Sequence, residues 1–421
     1  MGNITLNKVY VDKNRVDYFF SVSSDLQKYF NKNNHLFFEY NYEITDVPES
    51  ILAIPFVSNV IPLTWLTNST LSITELDKSF FNCLKEVKAA YQEMFPHILL
   101  YGDVSVKKIV ENKYEPEVEA AALFSGGLDA VTTFIRIKDK KPLLITEYGW
   151  HQNDTNYSEV WEADKNNAIE FANRYNLENV LIQSNYGTFI KAQIIDADFS
   201  KKLGDTWWHG LHHGLAIISA PIPIAHKLKV QCIYIASSNS PLLKISCASD
   251  PTIDNKIKYS SGNVFHDGYE LNRQDKVKVL VDYSKNNSPI KVRVCFKNEY
   301  NCCKCEKCLR TIFGIIAEGM NPEEFGFHLP NNLSDDLKIK LDNEVKFFTD
   351  TFIKIYWILI QSKMKENHKK VLYPDLLDWF LSYNFLKERQ KALLKYRVMN
   401  FLPIIKRKIR IKLNNLRTED I

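Results

Sequence analysis

Apolar and polar positions change place in short runs through the first quarter of the chain, as in Leu36-Phe37-Phe38-Glu39-Tyr40 and Ile51-Leu52-Ala53-Ile54-Pro55-Phe56. Runs of this kind, broken by polar turns, predict short strands. A helical pattern follows from about Glu75 to Met94. Residues 1–115 therefore read as a small α+β domain, and nothing in it carries recognisable chemistry.

The pattern shifts over residues 116–330, where apolar strand candidates alternate with helical stretches. The predicted strands are Val118 to Phe124, Pro142 to Tyr148, Asn179 to Gln183, Gln231 to Ala236 and Ile290 to Cys295. The predicted helices are Asp129 to Ile137, Glu159 to Tyr175 and Leu211 to Leu228, the last kinked or broken by Pro221 and Pro223. Such alternation builds an α/β fold, a parallel five-stranded sheet with helices on both faces. Residues 331–421 form a helical, basic appendage with aromatic residues at helical spacing, Phe347, Phe348, Phe352 and Tyr356.

Composition narrows the class. A chain of 421 residues, 45% apolar and 25% charged, suits a globular protein of two or three domains. Lys plus Arg number 54 against 50 Asp plus Glu, a balance too even to argue for nucleic-acid binding by the whole chain. Locally, Lys387 to Arg417 is strongly basic, with Lys406-Arg407-Lys408, Arg410 and Lys412. It reads as a solvated helical face, or as a contact for RNA, lipid headgroups or another acidic partner. No run reaches the roughly 18 uninterrupted apolar residues of a membrane span. The best, Ile353 to Ile360, is interrupted by Lys354. The start lacks an apolar signal core, and Leu6 stands where myristoylation needs Ser or Thr, so the expected location is the cytoplasm.

Cysteines are few but clustered. Cys83, Cys232 and Cys247 stand alone, whereas Cys295, Cys302, Cys303, Cys305 and Cys308 crowd together. Cys295, Cys302, Cys305 and Cys308, with two residues in each of the last two gaps, can supply four thiolates to one tetrahedral ion. A closed site of this kind holds structural Zn²⁺; an iron–sulfur cluster fits the same spacing, and Cys303 could replace Cys302.

The sharpest feature is Leu123-Phe124-Ser125-Gly126-Gly127-Leu128-Asp129-Ala130-Val131-Thr132, which follows a predicted strand and opens a predicted helix. Two glycines let consecutive N–H groups converge on an anion, and the helix N-terminus behind them adds partial positive charge. Ser125 adds a hydroxyl, and Asp129 can cap the helix or help hold Mg²⁺ beside a phosphate. No Gly-Lys pair and no dinucleotide glycine fingerprint occurs anywhere.

This stretch resembles the SGGxDS signature of the PP-loop ATP pyrophosphatases, whose Rossmann-like sheet binds ATP and whose reaction splits it between the α- and β-phosphates. Together with the Cys295–Cys308 spacing, it is similar to the QueC-like, 7-cyano-7-deazaguanine synthase branch. The likeness spans roughly 118–315, about half of the chain. It implies adenylation of a carboxylate by ATP with Mg²⁺, release of pyrophosphate, and displacement of AMP by ammonia. One departure is Ala130 where the signature has serine. The resemblance also implies an ATP site over residues 123–132, with Tyr148, at the end of the next strand, able to stack near the adenine.

Another departure precedes the third helix, where Pro-Gly-Arg-Asn type text is replaced by Thr206-Trp207-Trp208-His209-Gly210-Leu211-His212-His213-Gly214. On a helix His209, His212 and His213 would share one face, as packing residues, substrate contacts or metal ligands. His209 or His213 could move a proton when an amine attacks. The stretch Phe265 to Lys276 resembles the segment that PP-loop proteins place over the nucleotide, with Asp267, Glu270 and Arg273 as candidates. Glu270 and Arg273 could equally form a surface ion pair. No cysteine outside the cluster sits in a persuasive catalytic context, which argues against sulfur transfer. The expected function is an ATP-dependent C–N ligase acting on a small acid or nucleobase-like substrate, with ammonia or an amine as donor; a homodimer is compatible with it. A PP-loop tRNA-modifying enzyme and a non-catalytic nucleotide-binding protein are the rivals.

Overall fold

The structure, a computed structural model, describes residues 2–32, 34–150, 157–295, 300–399 and 401, and the side chains among these except those of 157–160. The chain divides into two compact units, Met1–Leu271 and Asn272–Ile421.

In the first unit the elements run β1 (Asn3–Asp12), β2 (Arg15–Val22), β3 (His35–Tyr40), α1 (Glu49–Thr67), β4 (Thr70–Asp77), α2 (Lys78–Met94) and β5 (Asp103–Val110). Then come β6 (Val118–Leu123), α3 (Leu128–Ile137), β7 (Leu143–Tyr148), α4 (Tyr157–Tyr175), β8 (Asn179–Ser184) and α5 (Ala192–Leu203). The unit closes with α6 (His213–Ser219), α7 (Ile222–Lys227), β9 (Val230–Ala236), α8 (Pro251–Asp254), β10 (Lys258–Tyr259) and β11 (Gly262–Asp267). Among the described residues all eleven strands share one sheet, in the order β10-β11-β9-β6-β7-β8-β3-β2-β1-β4-β5.

That sheet is mixed. Strands β8, β7, β6, β9 and β11 are joined by parallel pairings, so their carboxyl ends lie along one edge. β1, β2 and β3 form an antiparallel meander that meets β8 through Phe38 opposite Ser184 and Tyr40 opposite Ile182. The first 115 residues thus extend the same sheet, and one apolar core runs from Ile4 to Val264. The boundary expected near residue 115 falls inside one unit, because β3 lends its free edge to β8.

Several local expectations change. Ile51 to Phe56 belongs to α1, not to a strand, and Pro55 and Pro62 lie inside that helix. A helix buried on every side shows no apolar stripe, so its sequence lacks the period that marks helices. By length and composition α1 is also apolar enough to cross a membrane, more so than Ile353 to Ile360, and 94% of its most apolar 18-residue window is buried in protein. Glu75 lies in β4, and the following helix starts at Lys78, where the Asp77 side chain accepts the Phe80 N–H. The helix expected from Leu211 to Leu228 breaks at Ala220-Pro221.

Ile290 to Cys295 is not a strand. Its backbone is satisfied otherwise: Val292 N–H donates to Phe325 O, Val294 N–H to Asn301 Oδ1, and Asn301 Nδ2 donates to Val292 O. The fifth parallel strand is β11 instead, paired with β9 from Asn263 to Asp267.

The second unit contains α9 (Arg273–Ser284) and α10 (Glu306–Ala317), followed by helices Leu333–Glu344, Ile358–Glu366 and Pro374–Ser382 and by helical residues 385–399. Its core gathers Phe313, Trp357, Phe380 and Phe385, with Phe313 and Phe380 ring centres 4.9 Å apart. Phe348, Phe352 and Tyr356 form an aromatic row, and Phe347 is exposed. Lys406-Arg407-Lys408, Arg410 and Lys412 lie outside the described residues.

Candidate functional site

β6 is the middle strand of the parallel set, and its chain leaves the sheet through Phe124. Phe124 is buried; its N–H donates to Ile145 O at 2.7 Å and its carbonyl accepts from Thr146 Oγ1 at 2.9 Å. The turn is thereby fixed to β7. Ser125 is exposed, and Gly126 has a φ of 72°, a left-handed conformation that glycine adopts at little cost. Nothing would touch a Cβ at Gly126 within 4 Å, so the turn borders open space. Gly127 is the N-cap of α3 and supplies no side chain to its N–H groups. A helix N-terminus without a capping side chain at its N-cap is suited to an anion.

Leu128, Ala130 and Val131 are buried, Leu123 is half-buried, and Asp129 lies half-buried in the first turn of α3. The hydroxyl absent at Ala130 is not replaced by its neighbours, since Thr132 Oγ1 donates to Leu128 O and Thr133 Oγ1 to Asp267 Oδ2. Asp267, at the carboxyl end of β11, is also bound by Arg136 of α3, which reaches Glu270 as well, at 2.6 Å. Both acidic candidates are therefore engaged by one arginine. Arg273 opens α9, where its Nη2 donates to Thr311 Oγ1 at 3.3 Å.

The end of β7 carries a group that the sequence reading missed. Glu147 is 8% exposed; its Oε2 accepts from Tyr186 Oη at 3.4 Å, and its Oε1 has no partner among the described residues. Burial raises its pKa well above the usual carboxyl range, and the hydrogen bond from Tyr186 opposes that rise. β7 is buried from Leu143 to Glu147, so the carboxyl lies inside the sheet's packing, against Tyr186. Tyr148 stacks on Trp161 of α4, with ring centres 5.3 Å apart.

In the second unit the Cys295, Cys302, Cys305 and Cys308 sulfurs all lie within 4.8 Å of one another, a group that could hold a metal ion. Cys302 Sγ and Cys308 Sγ are 3.9 Å apart. Tetrahedral thiolates at the usual Zn–S length sit about 3.8 Å apart, so the donor set fits such an ion. Cys305 is the N-cap of α10, and a hydrogen bond from Cys308 is the leading cause that lowers its thiol pKa to about 5. Cys303 has a φ of 54°, and its thiol points to Asn301 O, away from the four. The cluster joins α10 to the irregular segment 290–295, not to a sheet strand.

The histidines do not share a face. Trp208–His212 forms a π turn, and the extra residue rotates His212 inward. His212 is buried, bonds Asn59 of α1 at 2.9 Å, and has a pKa lowered by burial to about 3. It is a core residue. His209 and His213 stay together, ring centres 5.9 Å apart, beside Cys247 from the loop after β9. Comparison with known proteins adds no relative to this picture: no family model, no curated protein and no solved structure matches the chain.

Proposed function

We propose that the chain is an ATP-dependent ligase-type enzyme that adenylates a carboxylate or equivalent oxygen, releases pyrophosphate and passes the activated group to ammonia or an amine, as QueC-like enzymes do. One observation carries the reading: the exposed Ser125-Gly126-Gly127 turn at the carboxyl end of the central parallel strand, opening α3. Ligands of open α/β sheets bind in the crevice outside those strand ends.

In this reading the five parallel strands form a Rossmann-like nucleotide-binding sheet. The amides at the start of α3 and the Ser125 hydroxyl hold the terminal phosphates, and Asp129 carries the carboxylate for Mg²⁺, whose charge would offset that of the phosphates. The acceptor oxygen attacks the α-phosphorus, the bond to the bridging oxygen breaks, and pyrophosphate leaves toward the helix N-terminus, which stabilises its charge. The nitrogen donor then attacks the acyl carbon and AMP departs. The four-cysteine cluster would hold structural zinc, its closed thiolate shell leaving no position for water.

Pyrophosphate release by the full chain, with ATP, Mg²⁺ and a panel of small acids, tests the reading. Release should appear with one acid class and be lost in Ser125→Ala and Asp129→Asn. Release that survives both substitutions, or ATP binding that ignores them, removes the loop from the mechanism.

A further inference from the structure

The first unit contains a second cluster of reactive groups, assembled from two separate stretches of chain, 205–213 and the loop after β9. Cys247 Sγ lies 3.7 Å from His213 Nε2. His213 Nδ1 is 2.8 Å from Trp208 O, and because a carbonyl only accepts, Nδ1 carries the hydrogen and Nε2 is left to accept from the thiol. On the other side stands His209, whose Nδ1 is 2.7 Å from Asp205 Oδ2. A carboxylate, an imidazole and a thiol in series is the arrangement of nucleophile, base and orienting group that activates cysteine for acyl transfer.

Electrostatics agree with this geometry. Burial by itself would raise the Cys247 thiol, yet its hydrogen bonds with His209 and His213 outweigh it and lower the thiol to about 6. The same contact raises His209 to about 9, with Asp205 adding to the rise. A thiolate beside an imidazolium is the stable form at pH 7. Cys83 and Cys232 behave oppositely, since burial pushes them up to about 12 and about 11. The other ionisable groups around the thiol are Tyr91 of α2, which burial keeps protonated, and, behind His213, the buried pair of Asp254 and His266 at 2.7 Å. Cys247 is 6% exposed, and its partner His209 reaches the surface, with 43% of its side chain exposed.

We propose that Cys247 is a nucleophile, activated by His209 and His213 with Asp205 as positioning residue, that carries an acyl group as a thioester. The thiolate attacks the carbonyl carbon of an activated acyl compound, the C–S bond forms, and the bond to the leaving oxygen breaks. The leaving oxygen departs as an anion or takes the imidazolium proton. Water or an amine then attacks the thioester, gives its proton to the imidazole, and the thiolate leaves. That an acyl adenylate is the natural donor rests on the proposed ligase reading; the nucleophile itself does not.

Stopped-flow acylation of the full chain with p-nitrophenyl acetate, without ATP, tests the nucleophile alone. A burst of p-nitrophenolate is expected, with one acetyl group on the Cys247 peptide by mass spectrometry, released by hydroxylamine. The burst should be absent in Cys247→Ser, and its pH profile should turn near 6. In His209→Gln the turning point should move toward 9. The thiolate fraction at pH 7 then falls on the order of 100-fold, but nucleophilicity rises about 20-fold with pKa, so the rate falls only about five-fold. Asp205→Asn should shift the profile in the same direction, a change that a purely structural carboxylate would not cause. No burst, acetylation spread equally over Cys83 and Cys232, or a wild-type profile turning near 9 overturns the proposal, whatever the outcome of the pyrophosphate assay.

Discussion

Arg136 Nε lies 3.1 Å from Asp267 Oδ1, so the helix that begins at the glycine turn is tied through its last turn to the carboxyl end of β11. Asp267 is buried, and Thr133 is its second side-chain partner. Arg136→Ala would leave a buried carboxylate with one hydroxyl donor. A loss of about 2 kcal/mol is expected, below the usual cost of breaking a buried pair because the arginine is partly solvated. Glu270→Gln removes only the exposed arm and should cost less than about 0.5 kcal/mol. Urea unfolding of the two variants checks the ranking.

Gly126→Ala separates backbone strain from collision. Since a Cβ there meets nothing within 4 Å, the cost is the left-handed conformation alone, about 1 kcal/mol. At Gly102 a Cβ would fall against the Thr64 carbonyl, backbone that cannot give way. Gly102→Ala should therefore destabilise by several times as much, while on the proposed ligase reading Gly126→Ala should also weaken ATP binding. Thermal melts and equilibrium nucleotide binding distinguish the two effects.

The four-cysteine cluster predicts one metal ion per chain. Cys302→Ser should lower its metal content below one half, and Cys303→Ser should leave it unchanged, because the Cys303 thiol faces Asn301 O. Elemental analysis of both variants decides the ligand set. Stripping the ion with a chelator should destabilise the unit from Asn272 onward.

His212 makes an acid-labile core contact. Its folded pKa, about 3, lies below the unfolded value, so the unfolded chain binds a proton that the folded chain refuses. Stability falls as pH drops below the ordinary histidine value near 6.5, by about 2 kcal/mol from this group down to pH 5. His212→Asn should flatten that part of the stability curve, as read by denaturant unfolding at several pH values. An unchanged slope would show that the imidazole is protonated in place.

Some of this was legible in the residues. The glycine turn is a local device: strand, turn and helix adjoin in sequence, so four of the five parallel strands, α3 and the exposed turn could be drawn at nearly their observed bounds. The cysteine cluster was legible for the same reason, its ligands lying within one short stretch. β11 was not, because its alternation is shallow, whereas the apolar run before Cys295 looked like a strand although Asn301 and Phe325 take its hydrogen bonds.

Long-range assembly decided the remainder. Asp205, His209 and Cys247 carry no mark individually; only the loop after β9 folding back on a π turn brings thiol and imidazole together. That turn also sends His212 into the core, against the regular helical spacing that put all three histidines on one face. Likewise β3 joins β8 across roughly 140 residues of chain, a pairing no local pattern encodes. Short-range chemistry is written in neighbouring residues because backbone geometry is local. Burial, pairing and perturbed protonation depend on what the rest of the chain lays against each group, and the fold alone supplies that.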